Sequence, residues 1–340
     1  MYRCLQLAKS GAGHVAPNPM VGAVLIYQNT IIGEGYHAQY GQAHAEVNCI
    51  NSVSEENKSL VEKSTLYVSL EPCAHYGKTP PCADLIIKNK IARVVIACRD
   101  SYAEVDGRGI QKLQQAGINV TIGTLEEEAL ELNKRFFGFY TKKRPYIILK
   151  WAQSKDAKIA GSDFSALKIS NDITNRLVHK WRSEEAAILV GTNTALHDNP
   201  QLTTRFWRGH NPVRLVIDRH LKLPQSLYLF DGTVKTFVFN EVKDEQKNGV
   251  AFYKLGAGEN TISALLSALY KLNIQSVLLE GGTTLLQSFI DQNNWDEARV
   301  IINETLAIGN GINAPILKNG VLMHEEKINN DTISFYKNIY

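Results

Sequence analysis

The sequence predicts an α/β protein of two domains, and three observations lead there. Strand-type and helix-type stretches alternate, in lengths that suit a mainly parallel sheet covered by helices on both faces. The alternation runs as two series, separated by GFYTKKRP at 138–145, where aromatics, basic residues and a proline break the pattern. The length of 340 residues also exceeds that of an ordinary single domain. The boundary is placed in that segment, giving domains of 1–141 and 142–340.

In the first series a helix over about 2–10 leads to the strand MVGAVLIY, a turn at Gln28-Asn29 and the strand TIIGEGY. A helix from about 45 to 53 follows, then the strand STLYVSL and a helix near 83–89. The strand RVVIAC, a helix near 108–116 and the short strand INVTIG complete it. The second series reads YIILKW, a helix around 172–182, AAILVG, RLVID, KTFVFN, a helix at 262–272, SVLLE, a helix from 283 and ARVIIN. Loops at 155–168 and 197–211 are rich in Asp, Asn, Lys and Arg at strand exits, where open α/β sheets bind ligands.

Composition narrows the function classes. Hydrophobic residues at 44% and charged residues at 21% are ordinary for a globular protein with real cores. A net charge of +3 gives no basic footprint for nucleic acid. Neither a membrane-length apolar run nor the apolar core of a signal peptide is present, so no membrane partner is expected. Five cysteines, an odd number, point to a reducing cytoplasm and against a disulfide framework.

The stretch EPCAHYGKTPPC at 71–82 carries two of those cysteines, Cys73 and Cys82, with eight residues between them. Taken alone, it is compatible with a disulfide, a zinc site, a redox pair or plain loop chemistry. His44-Ala45-Glu46 changes the balance, because His-x-Glu followed by Pro-Cys-x-x-Cys is the zinc-deaminase pattern, matched here except that eight residues replace the usual two between the cysteines. One imidazole and two thiolates, from His44, Cys73 and Cys82, leave Zn²⁺ an open fourth position for water. A carboxylate nearby, Glu46, can then shuttle protons as the catalytic residue. Residues two apart point to different sides of a regular helix, so His44 and Glu46 are expected at a helix start. Cys82 precedes a helical pattern whose N-terminus favours its thiolate. Cys4, Cys49 and Cys98 lie in apolar patterns and are read as packing residues.

Several motifs together resemble the bifunctional riboflavin-biosynthesis family, in which a pyrimidine deaminase is joined to a reductase. They are APNPMVGAVL, GEGYHAQYGQAHAE, EPCAHYGKTPPCAD and DGRGI in the first half, with LVGTNTALHDNPQLTTR and LLEGGTTLLQ in the second. The long spacing between the cysteines separates this family from cytidine and tRNA-adenosine deaminases. The resemblance implies a cytidine-deaminase-like three-layer α/β/α domain followed by a dihydrofolate-reductase-like α/β domain. It implies hydrolytic deamination of 2,5-diamino-6-(5-phosphoribosylamino)pyrimidin-4-one, then reduction of its ribosyl group by NADPH, in a cytoplasmic homo-oligomer (dimer or tetramer).

By the same resemblance Asn18, His37, His75 and Lys78 surround the substrate in the first domain, and Arg182, Leu202, Arg205 and Glu280 in the second. Ala152, Thr194 and Asp198 match cofactor contacts. No Gly-x-Gly-x-x-Gly follows the first strand of the second domain, so a Rossmann site is not indicated. The Gly281-Gly282-Thr283-Thr284 turn instead joins a strand to a helix start, where backbone can approach phosphate. The chain departs from the family pattern at Ala166 and Lys168, at Ser154-Lys155-Asp156-Ala157-Lys158, and at Tyr102. Lys168 is read as a cofactor-phosphate contact, and Lys150 and Asp156 stay as polar residues at the strand exit. The departures leave an alternative of deaminase activity alone, with an inactive or repurposed reductase domain. A nucleic-acid base deaminase and a binding module with structural zinc are the more distant readings.

Overall fold

Gln28 and Asn29 both take positive φ, 44° and 62°, the signature of a two-residue hairpin turn that matches strand twist. The turn joins β1 (Gly22–Tyr27) to β2 (Thr30–Tyr36). This computed structural model describes residues 1–76, 80–100, 107–163, 167–256 and 260–339, in two units, residues 1–143 and 144–340.

The first unit adds β3 (Thr65–Leu70), β4 (Arg93–Cys98) and β5 (Asn119–Ile122), with sheet order β2-β1-β3-β4-β5. The pairs β3–β4 and β4–β5 are parallel, while β1 runs antiparallel to β2 and β3. The expected mainly parallel sheet is therefore parallel over only half its pairs. Strand patterning fixes which face is buried, and the tight turn forces the hairpin. Helices α2 (Ala45–Asn51), α3 (Cys82–Lys88) and α4 (Arg108–Gln115) pack Ala45, Cys49, Ile86 and Leu113 against Leu25, Leu66, Val94 and Ile96. A second cluster gathers Leu5 of α1 (Tyr2–Lys9), Ala129 of α5 (Glu126–Leu132) and Phe136 and Phe137 of α6 (Lys134–Lys142) against Leu70 and Ala97. The GFYTKKRP segment thus begins inside α6, whose aromatics are a helix face. The helix stops just short of Pro145, which disfavours helical geometry in the residue before it.

The second unit contains β6 (Tyr146–Ser154), β7 (Lys158–Gly161), α7 (Asp172–Glu184), β8 (Ala187–Gly191), α8 (Thr192–Asp198), β9 (Val213–Ile217) and β10 (Thr236–Asn240). It continues with β11 (Glu245–Lys247), β12 (Val250–Lys254), α9 (Thr261–Lys271), β13 (Ser276–Leu279) and α10 (Thr283–Asp291). Last come β14 (Glu297–Asn303), β15 (Gly311–Asn313), β16 (Gly320–Ile328) and β17 (Asp331–Asn338). Ten strands form one sheet in the order β11-β12-β10-β9-β8-β13-β6-β14-β17-β16, parallel from β12 to β14. A separate β7–β15 pair stands apart from it.

Alternation along β6 explains the layering. Ile147, Leu149 and Trp151 join α9 and α10 in one core cluster, while Tyr146 and Ile148 join Val178 and Trp181 of α7 in another, as the two-residue period of a strand requires. Asn171 starts α7 by accepting the N–H groups of Ile173 and Thr174, and Asn260 does the same for α9. These side chains satisfy donors that a helix start leaves open. No helix among the described residues is long and apolar enough to cross a membrane.

Candidate active sites

His44 is the N-cap residue of α2, with extended backbone, so its ring projects from just ahead of the first turn. Cys82 opens α3, and its N–H donates to Cys73 Sγ at 3.3 Å. The result is a triad in which His44 Nδ1 stands 3.6 Å from Cys73 Sγ and 3.3 Å from Cys82 Sγ. Tetrahedral zinc with bonds of about 2.0 Å to nitrogen and 2.3 Å to sulfur sets ligand atoms roughly 3.5 Å apart, so the donor set fits the ion. Among the described residues no other His, Cys, Asp or Glu joins this group, which leaves the fourth position open. A hydrogen bond from Cys82 holds the Cys73 thiol far below its ordinary value, and the same coupling pushes Cys82 up.

Glu46 lies in the first turn of α2, only 3% exposed. Burial, reinforced by the charge of Cys73, raises its carboxyl to about 7. A carboxyl so placed suits both taking and giving a proton near neutrality. His37 stacks edge-on to His44, with ring centroids 5.4 Å apart. Its Nδ1 lies 3.1 Å from the carbonyl of Ala43 and its Nε2 3.2 Å from Asn18 Nδ2. Those partners assign the proton to Nδ1 and make Nε2 the acceptor. Burial also lowers the basicity of His37. His75 Nδ1 is buried without a hydrogen-bond partner among the described residues, a polar atom left for a ligand. Lys78 and Tyr102 lie outside the described residues.

Glu71, one residue before Pro72-Cys73, is a site residue that the sequence reading missed. Its Oε1 accepts the N–H groups of Gly109 and Ile110 at 2.9 and 3.2 Å, and its Oε2 those of Asp100 and Gly107 at 3.3 and 3.1 Å. This buried carboxylate ties the exit of β3 to the start of α4. Gly109 passes so close to Pro72 that a Cβ there would lie 1.9 Å from its carbonyl oxygen. Gly107, Gly109 and Ile110 of the DGRGI motif are thereby explained by packing and hydrogen bonding against the cysteine loop.

In the second unit a cavity of about 470 Å³ lies at the ends of β6, β8 and β13. Its walls include Ala152, Lys168, Thr194, Asp198, Gly281, Gly282, Thr283 and Thr284, so all eight expected cofactor contacts line one space. Gly282 has a φ of 75°, a conformation that a side chain strains. A Cβ on Gly281 would lie 2.8 Å from the Thr194 methyl. The turn therefore packs tightly on α8 and leaves the N-terminus of α10 open to the cavity. Burial raises the Asp198 carboxyl against the pull of His197. Lys168 is exposed and paired with Asp172 at 2.5 Å. Ala166 lies outside the described residues.

Arg182 does not lie on a solvated helix face. Its Nε and Nη2 donate to the two oxygens of Glu280, both at 2.7 Å, and its Nη1 donates to the Thr203 carbonyl at 3.2 Å. Lys150 Nζ stands 3.8 Å from the same carboxylate. Burial opposes ionisation of Glu280, yet the charges of Arg182 and Lys150 outweigh it and hold the carboxyl down at about 2. His179 Nδ1 accepts the N–H of Arg205 at 2.9 Å. Burial, then the charges of Arg182 and Arg205, lowers that imidazole to about 4. Arg205 extends to Gln201 and Thr203 from an exposed position. Leu202 is 2% exposed within a core cluster, so only its backbone is available to a ligand. Glu280 alone among these four also lines the cavity.

Comparison with known proteins places both halves. Residues 1–98 match the cytidine and deoxycytidylate deaminase zinc-binding region, and residues 145–331 match the RibD C-terminal domain. The riboflavin biosynthesis protein RibD of Aquifex aeolicus is 38% identical over 99% of this chain and 97% of its own length. That of Escherichia coli is 34% identical over 89% and 86% respectively. Among solved structures, a diaminohydroxyphosphoribosylaminopyrimidine deaminase/5-amino-6-(5-phosphoribosylamino)uracil reductase from Thermotoga maritima superposes with a TM-score of 0.90 at 35% identity, covering 99% of this chain and 97% of that one. The RibD of Acinetobacter baumannii gives 0.88 at 30% identity, covering 100% and 98%. The first unit is thus cytidine-deaminase-like and the second dihydrofolate-reductase-like, and the chain belongs to the RibD family of bifunctional riboflavin-biosynthesis enzymes, a zinc-dependent deaminase joined to a reductase.

Proposed function

We propose that the first unit deaminates 2,5-diamino-6-(5-phosphoribosylamino)pyrimidin-4-one and that the second reduces the ribosyl group of the product to ribityl. The observation that carries this reading is the His44, Cys73 and Cys82 triad beside a buried Glu46. Zinc, when held there, supplies the Lewis acid that acidifies an attacking water. Glu46 takes the proton of that water and passes it to the leaving amine, which departs as ammonia. Asn18, steadied by its hydrogen bond to His37 Nε2, orients the ring, and the Nδ1 of His75, which has no hydrogen-bond partner among the described residues, offers a further contact. Lys78 is assigned to the substrate phosphate on its charge.

NADPH, when bound in the cavity of the second unit, would supply a hydride to C1′ of the ribosyl group in its ring-opened imine form, the imine nitrogen taking a proton from solvent. Gly281 and Gly282 bring backbone close, and Thr283, Thr284, Thr194, Asp198, Ala152 and Lys168 line the cofactor's space. Arg205 and the backbone of Leu202 are assigned to substrate. Arg182 and Glu280 hold each other in place beside it, so orientation is the main catalytic resource here. We place the enzyme in the cytoplasm as a homo-oligomer. All five cysteines are free thiols, which suits a reducing compartment. The nine-residue edge strand β16 leaves Val321, Leu322 and Met323 exposed, a surface suited to strand pairing with a second copy.

Stripping zinc with a chelator separates the two halves. Ammonia release should disappear and return on adding zinc, while NADPH oxidation with already deaminated substrate continues. Ammonia release by verified zinc-free protein would overturn the assignment of the triad.

A further inference from the structure

The wall of the second cavity is closed by the small β7–β15 pair, which contributes Ile159, Ala160 and Ile312. These short strands lie outside the main sheet, so something else must hold them. The β6–β7 turn does so. Ala157 N–H donates to the Ser154 carbonyl at 3.0 Å, and Ala157 takes a φ of 56°. The turn therefore keeps the left-handed conformation that glycine usually fills, although this chain has Ala there.

Asp156, at the tip of the turn, reaches across to the chain before β15. Its Oδ1 accepts the Ser154 hydroxyl at 2.6 Å and the N–H of Ile308 at 3.1 Å, and its Oδ2 accepts the N–H of Gly309 at 2.7 Å. Lys155 N–H donates to Leu306 and Ala314 N–H to Ala157, at 3.0 and 2.9 Å. At the far end Thr283 Oγ1 donates to the Asn313 carbonyl at 2.9 Å, linking the flap to the Gly281-Gly282 turn. Burial places Ser154 fully inside, so the anchor is fixed and Asp156 is the bridge. These hydrogen bonds also hold the Asp156 carboxyl well below the usual range.

We propose that Asp156 is a positioning residue for the reductase: its carboxylate fixes the β7–β15 flap as the wall of the cofactor cavity and so sets the affinity for NADPH without touching it. The inference rests on the reading of this cavity as the NADPH site.

The test uses the full-length chain, with NADPH binding followed by calorimetry and hydrogen exchange read at residues 306–313. In Asp156→Ala the dissociation constant for NADPH should rise about tenfold, the loss of roughly one charged hydrogen bond's net contribution, and KM for NADPH should follow. The kcat at saturating NADPH should stay within about twofold, since the residue leaves the reacting atoms alone. Asp156→Asn retains one acceptor oxygen and should recover part of the affinity; it also serves if the alanine variant fails to fold. Exchange at 306–313 should quicken in both variants and slow on adding NADPH to the wild-type chain. Normal NADPH binding by wild type with unchanged affinity in Asp156→Asn overturns the inference alone. A fall in kcat without a change in affinity also overturns it. No NADPH binding by the wild-type chain, or binding indifferent to Gly282→Val, overturns the cavity assignment and the inference with it.

Discussion

Replacing Glu46 by Gln should cut ammonia release by about 10²–10⁴-fold, the usual contribution of a positioned proton shuttle, and leave zinc content unchanged. The substitution keeps the shape and burial of a side chain that is 3% exposed, and it leaves the three ligand atoms untouched. What it removes is the ability to accept a proton. Metal analysis and a single-turnover ammonia assay on the same preparation make the comparison. Turnover within tenfold of wild type, with zinc present, would take Glu46 out of the mechanism.

Arg182→Ala should destabilise the second unit by about 3–5 kcal/mol, the typical cost of leaving one member of a buried ion pair unpaired. Glu280 would keep Lys150, at 3.8 Å, and the weaker influence of His179, in a site where burial disfavours its charge. Denaturant unfolding followed by tryptophan fluorescence isolates the effect, because all four tryptophans lie after residue 143. The pH dependence has a definite sign. The folded carboxyl of Glu280 is lowered to about 2 from an ordinary 4.5, so its stabilising contribution is full above about 4.5 and fades as pH falls toward 2. Arg182→Ala should lose that window, since burial then drives the carboxyl upward. A variant that unfolds at the wild-type denaturant midpoint would show that the pair contributes nothing net.

The chemistry was most legible where it is local. His44-Ala45-Glu46 at a helix start and Pro72-Cys73 with Cys82 before a helix are short patterns, and folding only has to bring two strand exits together. The turn before α10 was readable for the same reason. Strand direction was not, because the alternation in β1 is the same whichever way its neighbour runs. Glu71 and Asp156 were missed in their roles because a carboxylate that gathers backbone N–H groups from a distant segment leaves no periodicity. Arg182 was read as a substrate contact, and its pairing with Glu280 was not legible because nothing local records a partner 98 positions away. The β7 and β15 strands, of four and three residues, are too short to carry a pattern, and α8 lies hidden in a stretch rich in Asn and Asp. Within 154–158, Ala157 takes a left-handed backbone conformation and Asp156 gathers the Ser154 hydroxyl and the N–H groups of Ile308 and Gly309.

The central claim is that two different active sites work in sequence on this one chain. It is tested most directly by a two-stage assay on zinc-replete protein with the diaminopyrimidine phosphate. Ammonia release is followed to completion, then NADPH is added and its absorbance recorded. One NADPH consumed for each ammonia released is the predicted result. Complete ammonia release with no NADPH consumption would contradict it, and would leave a deaminase whose second unit serves another purpose.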